Sequence, residues 1–283
     1  MSRIAIITDS TANLPMEWIR QYNVQVIPLK IHWGRQTFLD GVDITPDEFY
    51  ARLSHSKSLP TISEPSIEEF RKAFENPADQ SDGIFMPLIS SGMSGTVASA
   101  QAAAREFSCL SVEILDTHTT SMGQVLILLA AARAAEQGKS LREVRCAANE
   151  VVQRLHGFFA MDTDKYFNNS GKISRTSNYL DNVLNTKPIL FFNLEGKIDV
   201  LDRMRTKRKA LQHLIAIAEE HAKRHPIHIG IAHANAPQEA QEFREEIVQR
   251  LNCSEIFTVE FSPAIGVHMG PGTIGIAFYT EDI

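Results

Sequence analysis

Residues 90–96 combine hydroxyl groups and glycine in a spacing suited to anion binding. Four of these residues carry hydroxyls, namely Ser90, Ser91, Ser94 and Thr96. The apolar run 84–89 before them predicts a buried strand, and the alanine-rich segment 97–104 after them predicts a helix. At a helix start, unpaired backbone N–H groups and the helix dipole favour an anion. We therefore expect this loop to hold a negatively charged head group. A tight strand–helix connection capped by Ser94 is the simpler alternative.

Two other polar segments offer groups for the same chemistry. The turn at residues 60–66 is fixed by two prolines, and it is equally well explained as the connection before a helix capped by Ser66. Residues 266–273 predict a glycine-rich loop between two strands. This loop contains His268, whose imidazole can donate to an anion or titrate near neutral pH. The loop at residues 90–96 lacks the complete G-x-S-x-G motif of hydrolases and the lysine of a P-loop.

A run of positive charge begins the helix predicted near residue 206. Residues 203–209 carry five positive charges on a chain whose net charge is −6. Such a run is commonly a solvated helix start. It is also a candidate docking surface for an acidic or phosphorylated partner, with Arg203, Arg205 and Lys207 as its proposed contacts. The sequence leaves both interpretations open.

Strand and helix patterns alternate through the first half of the chain. This order predicts a mostly parallel sheet, in which ligands bind beyond the carboxyl ends of the strands. Residues 8–13, 90–96 and 116–121 fit that position, and one shared pocket would explain their many hydroxyls. The second half predicts a hairpin at Glu195-Gly196 and a mixed sheet. We therefore predict two α/β domains, 1–153 with the head-group loops and 154–283.

Composition excludes several classes of protein. The negative net charge disfavours nucleic acid and anionic membranes as partners, and the longest apolar stretch is too short to span a bilayer. Three widely spaced cysteines and a chain that starts directly in a strand pattern predict a cytoplasmic protein without disulfides. Histidines recur at His221, His225, His228 and His233. No carboxylate stands near them at ligand spacing, so we expect neither a metal site nor another cofactor.

Seven motifs, in order, resemble those of the DegV family of bacterial fatty-acid-binding proteins. They are Thr8-Asp9-Ser10-Thr11-Ala12, Asp40-Gly41-Val42-Asp43-Ile44-Thr45, Ser63-Glu64-Pro65-Ser66, residues 90–96, Lys187-Pro188-Ile189-Leu190, Arg205-Thr206-Lys207 and His268-Met269-Gly270-Pro271-Gly272. The resemblance implies two α/β domains that bury one long-chain fatty acid, such as palmitate. It also implies that a separate fatty-acid kinase, and not this protein, phosphorylates the bound acid.

The resemblance also assigns roles to particular residues. It places the carboxylate of the fatty acid at Ser94 and Gly95, with His268 at the head group. The family's second hydroxyl ligand is a threonine, but this chain has Ile62 at that position. Thr61, Ser63 or a backbone N–H would have to replace it. A family arginine would correspond to Lys172 or Arg175.

The residues themselves agree with a lipid ligand. An acyl chain gains about 0.8 kcal/mol for each methylene that it buries, so its carboxylate needs only neutral donors. The alternative is a phosphotransferase subunit or hydrolase in which Ser94 or His268 forms a covalent adduct with a small phosphorylated or acyl substrate. A third interpretation is a regulatory protein whose bound lipid controls docking through residues 203–209.

Overall fold

The computed structural model describes residues 2–56, 58–78, 80–163, 166, 186–223 and 225–281. The strands of its first half are β1 (Ile4–Asp9), β2 (Gln25–Ile27), β3 (Lys30–Trp33), β4 (Gln36–Leu39), β5 (Thr61–Ser63), β6 (Gly83–Leu88) and β7 (Val112–Asp116). The helices of this half are α1 (Met16–Gln21), α2 (Pro46–His55), α3 (Ile67–Ala78), α4 (Thr96–Glu106), α5 (Met122–Glu136) and α6 (Leu141–Arg154).

The second half adds six further strands among the described residues, β8 (His156–Ala160), β9 (Lys187–Phe192), β10 (Ile198–Met204), β11 (Ile227–His233), β12 (Cys253–Glu260) and β13 (Ile274–Thr280). Its helices are α7 (Lys207–Ala222), α8 (Pro237–Arg250) and α9 (Pro263–Met269). No helix in the described part of the chain is both long and apolar enough to cross a membrane.

The predicted sheet types are confirmed. In the first half, β2, β1, β6 and β7 form a parallel sheet in that order. In the second half, the order is β10-β9-β8-β13-β11-β12, and only the β11–β12 pair is parallel. The predicted hairpin is the antiparallel β9–β10 pair. A small antiparallel sheet, β4-β3-β5, was not predicted, because strands of three or four residues are too short to show a periodic pattern.

Helix α5 joins the two large sheets. It contacts β1 and β6 of the parallel sheet and also β11 and β13 of the mixed sheet. A helix between two sheets must be apolar on all sides, and eleven of the fifteen residues of α5 are buried. One hydrophobic cluster consequently runs from the first half of the chain into the second. Helix α6 ends at Arg154, next to the predicted division between residues 153 and 154, which stays a prediction.

Local capping explains where several helices begin. At the start of α2, the Thr45 hydroxyl accepts a hydrogen bond from the N–H of Glu48, and the N–H of Thr45 donates to the Glu48 carboxylate. Ser66 and Glu69 make the same reciprocal bonds at the start of α3, as the sequence predicts. The glycine-rich loop predicted at residues 266–273 is wrong for residues 266–269, which belong to helix α9. Pro263 fits its first turn, and Gly270 ends it with a φ of 72°.

Candidate functional site

The three hydroxyl-rich segments meet at the carboxyl ends of β1, β6 and β7, as expected. The N–H of Ser121 donates to the carbonyl of Thr11 (2.9 Å), and that of Ser90 donates to the carbonyl of Thr119 (2.9 Å). Several of their hydroxyls bond to the protein itself, however. Those of Thr8, Ser90, Thr117 and Thr120 donate to backbone carbonyls of neighbouring loops or strands. These groups mainly hold the segments together.

Asp9 is the centre of this buried network. Its side chain is fully buried and accepts hydrogen bonds from the N–H groups of Thr11 (3.0 Å) and Ile89 (2.8 Å). The side-chain amide of Gln124, on α5, also donates to it at 3.2 Å. Burial raises the pKa of Asp9 despite these bonds. Sequence reasoning missed this pair, although a glutamine within the apolar run of α5 is a detectable signal.

A cavity of about 320 Å³ opens beside this network. It is lined by residues from six parts of the chain, which are Thr11, Leu29, Leu59, Pro60, Thr61, Ile62, Glu64, Ile89, Met93, Ser94, Tyr166, Ala264, Ile265, Val267 and His268. The structure therefore brings Ser94, Thr61, Ile62 and His268 to one place. The Ser94 hydroxyl lies 2.8 Å from that of Thr96, within hydrogen-bond distance. We call this space the main cavity.

The alternation of side chains along β5 decides which of its residues face inward. Ile62 pairs with the fully buried Ile31 of β3. Successive side chains of a strand point to opposite faces, so Ser63 lies on the other face, where its hydroxyl is 2.8 Å from His32 Nε2. Ser63 does not line the main cavity, and Thr61 is exposed at its edge. The Ser63 hydroxyl is therefore a poor substitute for the family threonine.

Gly95 begins α4 and lies against the side chain of Glu64. A Cβ atom added to Gly95 would come 2.5 Å from Glu64 Oε1, so any larger residue here would displace the Glu64 carboxylate. The Glu64 carboxylate thus lies at the helix start that the sequence assigned to an anionic ligand. It also lines the main cavity. No local pattern of the sequence predicts this position of Glu64.

His268 lies in the last turn of α9, at the inner end of the main cavity. Together with Met93 and Ile265 it also lines a second, much smaller cavity of about 10 Å³. The other residues of this inner cavity are Thr120, Phe159, Ile198 and Met269. The two cavities share three side chains, so they are adjacent. The inner one is mainly apolar and leads towards the layer between the two large sheets.

Asp40 fixes the helix that carries His268. It is 2 % exposed and accepts hydrogen bonds from the Ser10 hydroxyl (2.6 Å), the Ser262 hydroxyl (2.9 Å) and the N–H of Ala264 (3.2 Å). The last two groups belong to the start of α9. Burial raises the pKa of Asp40 from 3.8 to about 6, more than these hydrogen bonds lower it. Asp40 therefore connects the first half of the chain to the pocket-lining helix.

Known proteins that resemble the chain match over nearly its whole length. A family model described as the DegV family of uncharacterised proteins matches residues 3–281. The chain belongs to the DegV family. It is 30% identical over 282 residues to a DegV domain-containing protein of Caldanaerobacter subterraneus, covering 98% of this chain and 99% of the relative. It is 29% identical over 278 residues to DegV of Bacillus subtilis, covering 97% of this chain and 98% of the relative.

Two solved DegV structures are described as fatty-acid binding. The protein from Thermus thermophilus has a TM-score of 0.92 and 29% identity, covering 99% of this chain and 100% of its own. The Bacillus subtilis protein also has a TM-score of 0.92, with 27% identity and the same coverage. This chain thus shares its whole fold with DegV proteins that bind fatty acids.

The positively charged residues at 203–209 of this DegV protein differ in their exposure to solvent. Arg205 is exposed, and Arg203 is half-buried on β10. Lys207 is turned inward, where it pairs with Glu239 of α8 and donates to the carbonyl of Gly272. Its proposed role as a docking contact is therefore not supported by its position. Lys172 and Arg175 lie outside the described residues.

Other polar clusters and cavities lack the features of the main cavity. His228 lies between Glu255 (3.2 Å) and Glu281 (2.9 Å), but no metal-ligand group of three or more is present in the part of the chain described. An open groove of about 800 Å³ lies near the amino ends of β1 and β2, away from the hydroxyl-rich loops. A further cavity of about 340 Å³ lies beside the β9–β10 hairpin and is called the side cavity.

Proposed function

We propose that this DegV protein binds one long-chain fatty acid, with the carboxylate in the main cavity. The observation that carries the proposal is the adjacency of that polar-edged cavity to the apolar inner cavity. An amphipathic ligand needs both surfaces, arranged in this order. The fatty-acid-binding descriptions of the Thermus thermophilus and Bacillus subtilis structures support the same ligand class.

Ser94 and His268 are the proposed polar contacts of the carboxylate. Ser94 lies beside the start of α4, and His268 approaches from α9. Gly95 and the edge residue Thr61 complete this end of the cavity. Ile62 contributes only an apolar surface where the family has a hydroxyl. The acyl chain would supply most of the affinity, at about 0.8 kcal/mol for each methylene buried.

The proposed role of the complex is to hold or transport the lipid, or to present it to a fatty-acid kinase. In that role the protein acts in the cytoplasm and does not itself catalyse phosphoryl transfer. The exposed Arg205 and its neighbour Arg203 remain the proposed contacts with the kinase. No cofactor besides the bound fatty acid is part of the proposal.

Mass spectrometry of the ligand extracted from purified protein tests the proposed function. Organic extraction followed by negative-ion detection should yield a long-chain fatty acid in a ratio of about one to each chain, since one acyl chain fills one channel. The intact protein should keep its sequence mass. A phosphorylated metabolite, or an adduct on Ser94 or His268, would instead support the phosphotransferase or hydrolase interpretation. Delipidated protein that fails to take up any added fatty acid would overturn the proposal.

A further inference from the structure

The inner cavity ends at an aromatic pair between the two sheets. Phe159 of β8 lines the inner cavity and is 1 % exposed. Its ring meets that of Phe192, on β9, edge-on, with 5.4 Å between the ring centroids and an angle of 76°. Both side chains pack against the hydrophobic cluster shared by the two halves. The pair therefore borders the inner cavity where β8 and β9 lie.

Phe192 also forms part of the wall of the side cavity. This cavity of about 340 Å³ is lined by Thr119, Leu155, Gly157 and Phe192, among others. The Phe192 ring covers Gly157, since a Cβ atom there would lie 3.1 Å from Phe192 Cδ2. Gly157 and Phe159 lie two residues apart on β8 and so face the same layer. Phe159 and Phe192 thus stand between the inner cavity and the side cavity.

We propose that Phe159 and Phe192 form a partition that ends the acyl channel and sets the longest fatty acid chain that the protein can bury. The inference rests on the proposed function. A chain that enters past Ser94 and His268 passes Met93, Ile265 and Ile198 before it meets the Phe159 ring. With the partition removed, the side cavity would receive the end of a longer chain.

The partition determines how the affinity for a fatty acid depends on the length of its acyl chain. Each methylene that the channel buries strengthens binding about fourfold, which corresponds to about 0.8 kcal/mol. In the wild-type protein, methylenes beyond the number that fills the channel up to the partition are not buried and do not strengthen binding. Affinity should therefore rise with chain length and then level off. Opening the partition moves that levelling point to longer chains and leaves the head-group contacts unchanged.

Phe192→Ala tests this proposal, with Phe191→Ala as the matched control. Both residues are half-buried on β9 and line the side cavity, but the Phe191 side chain packs against the cluster on the other face of the sheet, away from Phe159. Delipidated wild type and variants are titrated with even-numbered saturated fatty acids from lauric to lignoceric acid. In Phe192→Ala the affinity should continue to rise for about two more methylenes, or about fifteenfold in total. Phe191→Ala should keep the wild-type profile.

Identical length profiles for Phe192→Ala and the wild type would overturn the partition, and so would an equal shift in Phe191→Ala. Circular dichroism checks the fold, and Phe192→Leu provides a milder opening that should shift the profile in the same direction if Phe192→Ala does not fold. Wild-type protein that binds none of these acids would overturn the proposed function and the partition with it. Binding by the wild type with an unshifted variant would overturn the partition alone.

Discussion

At the scale of single residues, the head-group end of the main cavity has few hydroxyl donors. Ser94 lines it, but the neighbouring Ile62 offers only an apolar side chain, and Ser63 is engaged with His32. The Glu64 carboxylate lies against Gly95 at the same place and adds negative charge. In the proposed complex, the carboxylate therefore depends on Ser94, on His268 and on the backbone N–H groups near the start of α4.

Ser94→Ala should weaken fatty-acid binding about five- to thirtyfold, because it removes one hydrogen bond to a charged group worth about 1–2 kcal/mol. Ser91→Ala is the control, since Ser91 lies in the same loop but is exposed and does not line the cavity. Titration with a fluorescent fatty acid measures both, and circular dichroism confirms the fold. Equal affinities of the two variants would remove Ser94 from the head-group site.

At the scale of elements, the position of α9 depends on a residue far away in the chain. Asp40 accepts from Ser262 and from the N–H of Ala264, across 222 and 224 residues of sequence. Burial raises the pKa of its carboxyl to about 6, and the negative charge of Asp9 adds to this shift. The folded protein therefore binds a proton at Asp40 more tightly than the unfolded chain does.

Asp40→Asn should remove a component of the pH dependence of stability. A carboxyl with a raised folded pKa stabilises the fold most below its unfolded pKa of 3.8, and this contribution is lost as pH rises through about 6. The free energy of unfolding of the wild type should thus fall relative to Asp40→Asn between about pH 4 and about pH 6, and the difference should be constant above about pH 7.

Urea unfolding at a series of pH values measures this difference. Asp43→Asn is the control, because Asp43 is an exposed carboxylate in the same loop that accepts a hydrogen bond from the N–H of Leu39 (2.8 Å). Parallel pH profiles for the wild type and Asp40→Asn would contradict the assigned role of the buried carboxyl.

At the scale of the whole molecule, charge is distributed unevenly. The net charge is −6, yet five of the 28 lysines and arginines lie within residues 203–209. One of these, Lys207, is used internally by Glu239 and the Gly272 carbonyl. A local positive surface on an acidic protein steers an acidic partner mainly by raising the association rate.

Arg203→Ala combined with Arg205→Ala should slow acyl phosphate formation by a fatty-acid kinase from the same organism and leave lipid affinity unchanged. The defect should shrink as salt is raised, because exposed charges are screened over about 10 Å at 0.1 M. The control is Arg20→Ala combined with Arg142→Ala, two exposed arginines of the first half. Wild-type turnover by the first variant would leave residues 203–209 as a solvated helix start, and lost lipid binding would assign them to the pocket.

The sequence by itself determined many of the local elements and placed the hydroxyl-rich loop 90–96 between a strand and a helix. Capping pairs such as Thr45 with Glu48 act within one helical turn, so they can be recognised from a few neighbouring residues. The buried strand β6 and the helix α4 likewise follow from runs of apolar and alanine residues. The parallel order of the first sheet then places the three hydroxyl-rich loops together.

Only the tertiary structure decided which of these polar residues line the main cavity. The pairing of β5 with β3 turns Ile62 inward and Ser63 towards His32. The ion pair with Glu239 of α8 holds the Lys207 side chain in a mostly buried position. Asp40 resembles an ordinary turn residue until folding brings Ser262 and Ala264 to its carboxylate. Such roles depend on contacts between distant segments and on burial, and neither quantity is contained in a local pattern of residue types.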